Sequence, residues 1–302
     1  MVALMTMIVG DDLSLHLPNV RSLFIPGRGR TYVEADLARA DACVAAWDAD
    51  AKELKQQVLD GVDLHSDNAQ LLYGTRWTGR KFETVREIAP RTMHSNGMSY
   101  RDNAKRWVHA TNFHGGADTV ASVIVVDKEH VKACQQWWTE ARHPEIGRWH
   151  RRIQAALNSR KMPVIHNAFG FHRMYVGGSP YGRSDGNLLG QALGWICQST
   201  VAIVINRGIE RIDCNLDLIG RPRCGDCLVC HGREWELRLQ VHDSILTTIP
   251  TPCVEPVRMK ELISALTIRV PYDDPLYIPV EIKYSHDNWG NMKKWTDDSA
   301  AL

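Results

Sequence analysis

Arg101, Lys105, His109 and Asn112 recur every three or four residues in the stretch from Tyr100 to Gly116. At a helical advance of about 100° per residue they share one narrow sector, while Tyr100, Ala104, Trp107, Val108 and Thr111 share another. The spacing predicts an amphipathic helix over 101–113 whose polar face carries two permanent cations one turn apart. An Arg fork and a Lys ammonium both stay charged at pH 7 and donate charge-assisted hydrogen bonds, which suits an anion. An ordinary solvated helix face shows the same pattern. Asp36 closes the β-prone run Thr31–Asp36, directly before the Ala-rich stretch 37–47. A carboxylate where a strand hands over to a helix can coordinate a metal ion or cap the helix. Cys214, Cys224, Cys227 and Cys230, followed by His231, put half of the chain's eight cysteines within 17 residues. That spacing lets thiolates converge on a tetrahedral structural zinc; reduced thiols at a hairpin tip and an iron–sulfur cluster stay open.

The elements that must position these residues are legible from the pattern. Residues 51–75 read as helix, turn, helix, with Gly61–His65 as the turn. Asp127–Arg142 reads as a helix carrying the adjacent Trp137 and Trp138, which are expected in the core. Leu188–Arg207 is a long, largely apolar helix, and Glu234–Ile245 alternates as a strand, with Trp235, Leu237, Leu239 and Val241 on one side. The 302 residues suffice for one large domain or two smaller ones, and a 44% hydrophobic, 24% charged composition is that of a globular protein. No apolar run reaches the length of a transmembrane helix and the apolar N-terminus lacks a basic region, so the expectation is a soluble cytoplasmic protein with reduced thiols and no membrane partner. Net charge is only +1, but residues 76–106 hold eight Lys/Arg against three acids and residues 142–161 hold six against one. Two basic stretches of this kind suit a phosphate-tracking surface, or are solvated faces.

The Arg101-x-x-x-Lys105 spacing, with Phe113 and Gly115 beyond it, resembles motif B of the family A DNA polymerases, the DNA polymerase I family with its phage members. Other segments are similar to the family in the same order. The run ending at Asp36 resembles motif A, Asp63-x-His65-x-x-x-Ala69 the segment opening the fingers, and Pro144-x-Ile146-x-x-Trp149 a later helix. Asn167–Arg173 resembles the family's Arg-bearing hairpin, Gln198-x-Thr200 its minor-groove helix, and His242-Asp243 motif C; the closing segment runs from Pro279 to Lys293. The resemblance implies an α+β fold: a palm with an antiparallel β-sheet carrying both aspartates and α-helical fingers holding 101–113, with thumb and exonuclease domains absent. It places palm at 1–50 and 179–302, with the cysteine-rich stretch 213–232 as an insertion, and fingers at 51–178.

What the resemblance implies for chemistry is template-directed transfer of dNTPs to a primer 3′ end by a two-metal mechanism. Asp36 and Asp243 take the metal-ligand places for two Mg²⁺ ions, which prefer hard oxygen ligands and keep several waters. Arg101 and Lys105 take the place of the triphosphate ligands, and His109 stands where the family puts an aromatic against the nucleotide sugar. Gln198, His242 and Arg173 fall at DNA-contacting positions on the primer-template. Three departures stand out. Asp41 replaces the longer Glu of the sugar gate, Phe113 replaces its Tyr partner, and Ser244 replaces the Glu after the motif C aspartate. Thumb and exonuclease portions have no counterpart in the 35 residues before Asp36, so a separate thumb and exonuclease polypeptide, or a processivity factor, is expected. The other readings are a non-catalytic nucleic-acid-binding or assembly module that retains the fold, and a template-independent or RNA-making transferase.

Overall fold

The computed structural model describes residues 19–74, 88–91, 93–158, 163–175, 188–214 and 235–296. Cys224, Cys227, Cys230 and the side chain of Cys214 lie outside the described residues, as do residues 76–86 of the first basic stretch and Arg160 and Lys161 of the second. The chain divides into two compact units. One, the sheet unit, comprises Met1–Leu37, Gly208–Leu266 and Val280–Leu302; the other, the helical unit, comprises Ala38–Arg207 and Thr267–Pro279.

Strand β1 (Arg30–Leu37) forms where β-branched and aromatic residues follow the Gly27–Gly29 turn, and it becomes the centre of a five-stranded antiparallel sheet. The hairpin β4 (Glu236–Val241) and β5 (Ser244–Pro250) pairs with β1 through β5. The strand labelled here β8 (Val280–Ser285) pairs with the other edge of β1 and is followed by the short β9 (Lys293–Lys294). Residues directly opposite across a ladder share a face. Val33, Ala35, Leu37, Ile245, Thr247, Ile249, Ile282 and Tyr284 therefore form one face, and all are buried. Helix α9 (Pro256–Leu266) lies in the same unit, and Gly208 meets Leu266 so closely that an added Cβ would clash with its side chain. The opposite face is mixed: it carries Glu34, Asp36, Ser244, Glu281 and Lys283, beside a small apolar cluster of Tyr32, Leu246 and Trp289.

The helical unit runs α1 (Ala40–Asp48), α2 (Lys52–Leu59), α3 (Leu64–Tyr73), α4 (Tyr100–Asn112), α5 (Ala117–Ile124), α6 (Lys128–Gln136) and α7 (Pro144–Leu157). It continues into the hairpin β2 (Val164–His166) and β3 (His172–Met174), most of α8 (Leu188–Cys214), and the small pair β6 (Arg269–Val270) and β7 (Leu276–Tyr277). Its core packs α3 against α4: Ala69, Leu72 and Tyr73 meet Ala104, Trp107 and Val108, joined by Val131, Cys134 and Trp138. The expected helix 101–113 is present one residue early, with Ser99 as its N-cap and Phe113 as its C-cap.

Several expectations need correction. The tryptophan pair is split: Trp138 is 2% exposed and Trp137 is 42% exposed, because a π-helical turn at Trp137–Arg142 continues α6. Leu237 and Leu239 do not share one side as expected, since the ladder with β5 shifts register between them and sets Leu237 opposite Thr247 but Leu239 opposite Leu246; both are exposed. Among the described residues one helix, α8, is long and apolar enough by length and composition to cross a membrane, contrary to the reading of the sequence. More than half of its apolar window is buried, with Leu193, Ile196, Cys197, Val204 and Ile205 fully enclosed, so the protein interior accounts for its composition. Cys43, Cys134 and Cys197 are buried free thiols, whereas Cys253 is disulfide-bonded, so reduced thiols throughout do not hold at that position.

Candidate active site

In the sheet unit the two predicted metal ligands come together. Asp36 is the penultimate residue of β1, and its Cα partners are Ser244 on β5 and Glu281 on β8. Asp243 lies in the two-residue turn that joins β4 to β5, and its carbonyl accepts the Leu37 N–H at 3.0 Å. The turn is tight enough to put His242, a non-glycine residue, at φ 54°, a sparsely populated conformation. Asp36 thus sits in a strand and not at a helix cap, and Arg39, at φ 55°, takes the N-cap of α1. Burial, the neighbouring charge of Asp243 and that of Glu34 push the Asp36 carboxyl above its ordinary range, against the pull of Lys283. Lys283 Nζ lies 3.5 Å from Asp36 Oδ2. Glu34 is buried two residues back and its Oε1 accepts the indole N–H of Trp289 at 3.4 Å.

Ser244 is buried and donates its hydroxyl to the Val241 carbonyl at 3.0 Å. Among the described residues no group of three or more His, Cys, Asp or Glu side chains could hold a metal ion. The pair Asp36 and Asp243 nevertheless fits divalent magnesium. Its oxygens are hard donors, its mutual repulsion is what a cation relieves, and Mg²⁺ is ordinarily held by one or two carboxylates with waters and substrate phosphates completing the shell.

In the helical unit α4 presents Arg101, Lys105 and His109 on one face, as its spacing requires. Asn112, expected on that face, turns inward: its Oδ1 accepts the Trp138 indole N–H at 2.9 Å, and it is 3% exposed. Asp63 caps α3, accepting from the His65 N–H and the Ser66 hydroxyl, and both of its oxygens also accept from Arg101 Nε at 3.2 and 2.9 Å. Partial burial opposes the charge of Asp63, but the hydrogen bonds of Arg101 and Ser66 and the guanidinium charge bring its carboxyl down to about 2. The same contacts raise Arg101 further. Burial, reinforced by Arg101 and Lys105, lowers His65 to about 4, so its imidazole is neutral at pH 7.

Burial also lowers His109; Asp41 pulls the other way, and Lys105 adds to the lowering. The His109 ring meets Phe113 edge to face at 4.5 Å. Asp41, in the first turn of α1, is thus a charged neighbour of His109, and Phe113 fills its place with a ring contact instead of a hydroxyl. Gln198 is exposed on α8, and Arg173 is exposed on β3 with its guanidinium 5.2 Å from the Tyr175 ring centroid. Asp63, His65, Glu34 and Lys283 were not among the expected site residues. The Asp63-x-His65 spacing at a helix start was the available signal for the first two, and strand alternation from Asp36 was the signal for Glu34; Lys283 shows only through strand register.

The fold these elements make is polymerase-like, a mixture of helices with an antiparallel sheet. No protein-family model matches the chain, and no curated protein matches it. Among solved structures it is similar to the POL domain of Pol1 from M. smegmatis, in complex with DNA primer-template and dNTP, at a TM-score of 0.65 and 18% identity. The match covers 94% of this chain and 43% of that one.

Proposed function

We propose that the chain is the catalytic palm and fingers of a template-directed DNA polymerase of family A type, extending a primer 3′ end with dNTPs. The observation that carries the reading is the juxtaposition of Asp36 and Asp243 at the ends of adjacent strands, in a fold shared with a polymerase domain solved with primer-template and dNTP. Asp36 and Asp243 would hold the divalent ions. When bound, such ions polarise a primer hydroxyl and clamp a triphosphate. Arg101 and Lys105 bind and orient the triphosphate, and His65, neutral and beside them, adds a donor without adding charge. His109 and Phe113 form the wall against the sugar, with Asp41 as the shortened gate. A gate without a phenol partner discriminates less strongly against a ribose, so ribonucleotide incorporation above that of a Glu–Tyr gate is expected.

Gln198, His242 and Arg173 are assigned to the primer-template, and a thumb and exonuclease polypeptide or processivity factor to a partner in the cytoplasm. For the cysteine cluster a structural zinc stays one reading beside reduced thiols and an iron–sulfur cluster. A second reading, a non-catalytic nucleic-acid-binding module, draws on Lys283 occupying Asp36 and on Ser244 turning away to a backbone carbonyl.

Primer extension with Mg²⁺ on a primed template tests the choice, comparing the wild-type chain with Asp243→Ala, alone and with host lysate. Template-directed extension lost in the variant supports the catalytic reading. Extension only with lysate adds the partner. DNA binding without extension under either condition selects the non-catalytic module.

A further inference from the structure

Lys283 puts an ammonium where a divalent-cation site calls for acids. Its Cα lies directly across the β1–β8 ladder from Glu34, yet its Nζ reaches diagonally to Asp36 Oδ2 at 3.5 Å. The carboxylates around it explain the choice. Glu34 is already engaged by the Trp289 indole at 3.4 Å, and Glu281, the other acid on β8, pairs with Lys294 at 3.3 Å. Asp36 instead faces Asp243 and Glu34, two like charges. The ammonium therefore goes to the carboxylate that the Trp289 indole and Lys294 leave unengaged.

It is held there loosely. The two side chains are 36% and 32% exposed, and a Lys ammonium on a four-carbon stem can swing into water at little cost. A divalent ion at Asp36 has to compete with this monovalent one for the same oxygen, and like-charge repulsion drives the ammonium off once the ion binds.

We infer that Lys283 is an internal counter-ion, a positioning residue that holds Asp36 in the metal-free state and yields to a divalent cation, thereby setting the concentration at which the site loads. The inference rests on the reading of Asp36 and Asp243 as metal ligands.

The test is Mn²⁺ binding to the full chain, followed by electron paramagnetic resonance of the free ion, for wild type, Lys283→Met, Lys283→Gln, Lys283→Arg and Asp36→Asn. Removing the ammonium should tighten Mn²⁺ binding at least threefold in both neutral variants, so that the result survives if either one fails to fold by circular dichroism. Lys283→Arg, which keeps the positive charge, should bind no tighter than wild type, and Asp36→Asn should lose the site. Mn²⁺ binding that depends on Asp36 but is equal in wild type and both neutral variants would leave the metal reading standing and overturn the role of Lys283. Absence of Asp36-dependent binding in wild type and in the neutral variants would overturn both.

Discussion

Asp63 accepts from the Nε of Arg101 with both carboxylate oxygens, at 3.2 and 2.9 Å, while capping the first turn of α3. The guanidinium is gripped through Nε, and on the proposed function its terminal amino groups are the ones that meet a phosphate. Asp63 thus sets the Arg101 fork in advance, which lowers the ordering cost of binding. Asp63→Ala should raise the dNTP KM by about tenfold, the equivalent of one charge-assisted hydrogen bond of about 1.5 kcal/mol. Single-nucleotide incorporation measures it. An unchanged KM beside a clear rise in Arg101→Ala would show that Asp63 caps the helix and does nothing for the nucleotide. The sign of the pH effect is fixed by the carboxyl standing at about 2, below its ordinary 3.8. The pair is intact above 3.8 and is lost only as pH falls toward 2, so Asp63 adds no pH dependence between 5 and 9.

The helical unit should be acid-labile for a different reason. Burial lowers His65, His143 and His150 to about 4 each, from an ordinary value of 6.5. His143 is packed on Trp138 at 4.3 Å and His150 meets the Asn112 carbonyl at 2.8 Å through Nε2, so both are fixed inside the fold. A folded value below the unfolded one means stability that is present above 6.5 and lost as pH falls from 6.5 through 4. Each such imidazole costs up to about 1.4 kcal/mol per pH unit in that window. Melting followed by tryptophan fluorescence, which reports the buried Trp107, Trp138 and Trp149, should shift steeply downward between pH 6.5 and 4.5. Substituting His143 with Gln should flatten the slope, and an unaltered slope would mean that His143 titrates near its ordinary value.

The parts of this molecule that follow a local period were legible from the sequence. The α4 face, β1 with Asp36 as its penultimate residue and the α2–α3 pair stand within a residue or so of where the pattern put them. Asn112 misled because its angular position is polar by helical advance, and only the packing of Trp138 against α4 gives its amide a buried partner. Trp137 and Trp138 could not be told apart by composition, since adjacent helical residues point about 100° apart and only the packing of Trp138 against α4 shows which ring enters the core. Lys283 becomes a neighbour of Asp36 only through the pairing of β1 with β8, two strands far apart in the chain, and no short-range pattern encodes that register, whereas Glu34 shares the Asp36 face by strand alternation alone. The apolar α8 reads alike as a core helix or a membrane span, and burial of its side chains is what tells them apart.

Asp48 fastens several elements of the helical unit. Its Oδ2 accepts the Trp149 indole N–H at 2.6 Å and Arg152 Nη2 at 2.8 Å, and Arg152 also reaches the Asp48 carbonyl at 2.8 Å. Tyr272 OH lies 3.5 Å from Oδ1. Burial raises the Asp48 carboxyl even so, against Arg152 and the two hydrogen-bonding rings. Asp48→Ala leaves the buried Trp149 N–H without its acceptor and should cost about 2–3 kcal/mol of helical-unit stability. Urea unfolding followed by tryptophan fluorescence measures it.

The carboxylate pair should cost stability in return for its chemistry. Asp36 has its carboxyl raised above 3.8 by burial, by Asp243 and by Glu34, with Lys283 offsetting only part of this. A folded value above the unfolded one means that the protonated form is favoured in the fold. The contribution is therefore present below 3.8 and lost as pH rises through the folded value, so at pH 7 the ionised side chain is a net burden. Asp36→Asn removes the burden while nearly keeping the shape. In the absence of divalent ions it should raise the melting temperature by about 1–3 °C at pH 7.5. The gain should shrink as pH falls toward 3.8, where Asp36 is protonated in the wild type as well. Adding Mg²⁺ should reverse the order, since only the wild type gains stability from a bound ion. Calorimetry of both proteins with and without Mg²⁺ provides the four values. A variant less stable than wild type without metal would mean that the Lys283 pair outweighs the repulsion from Asp243 and Glu34.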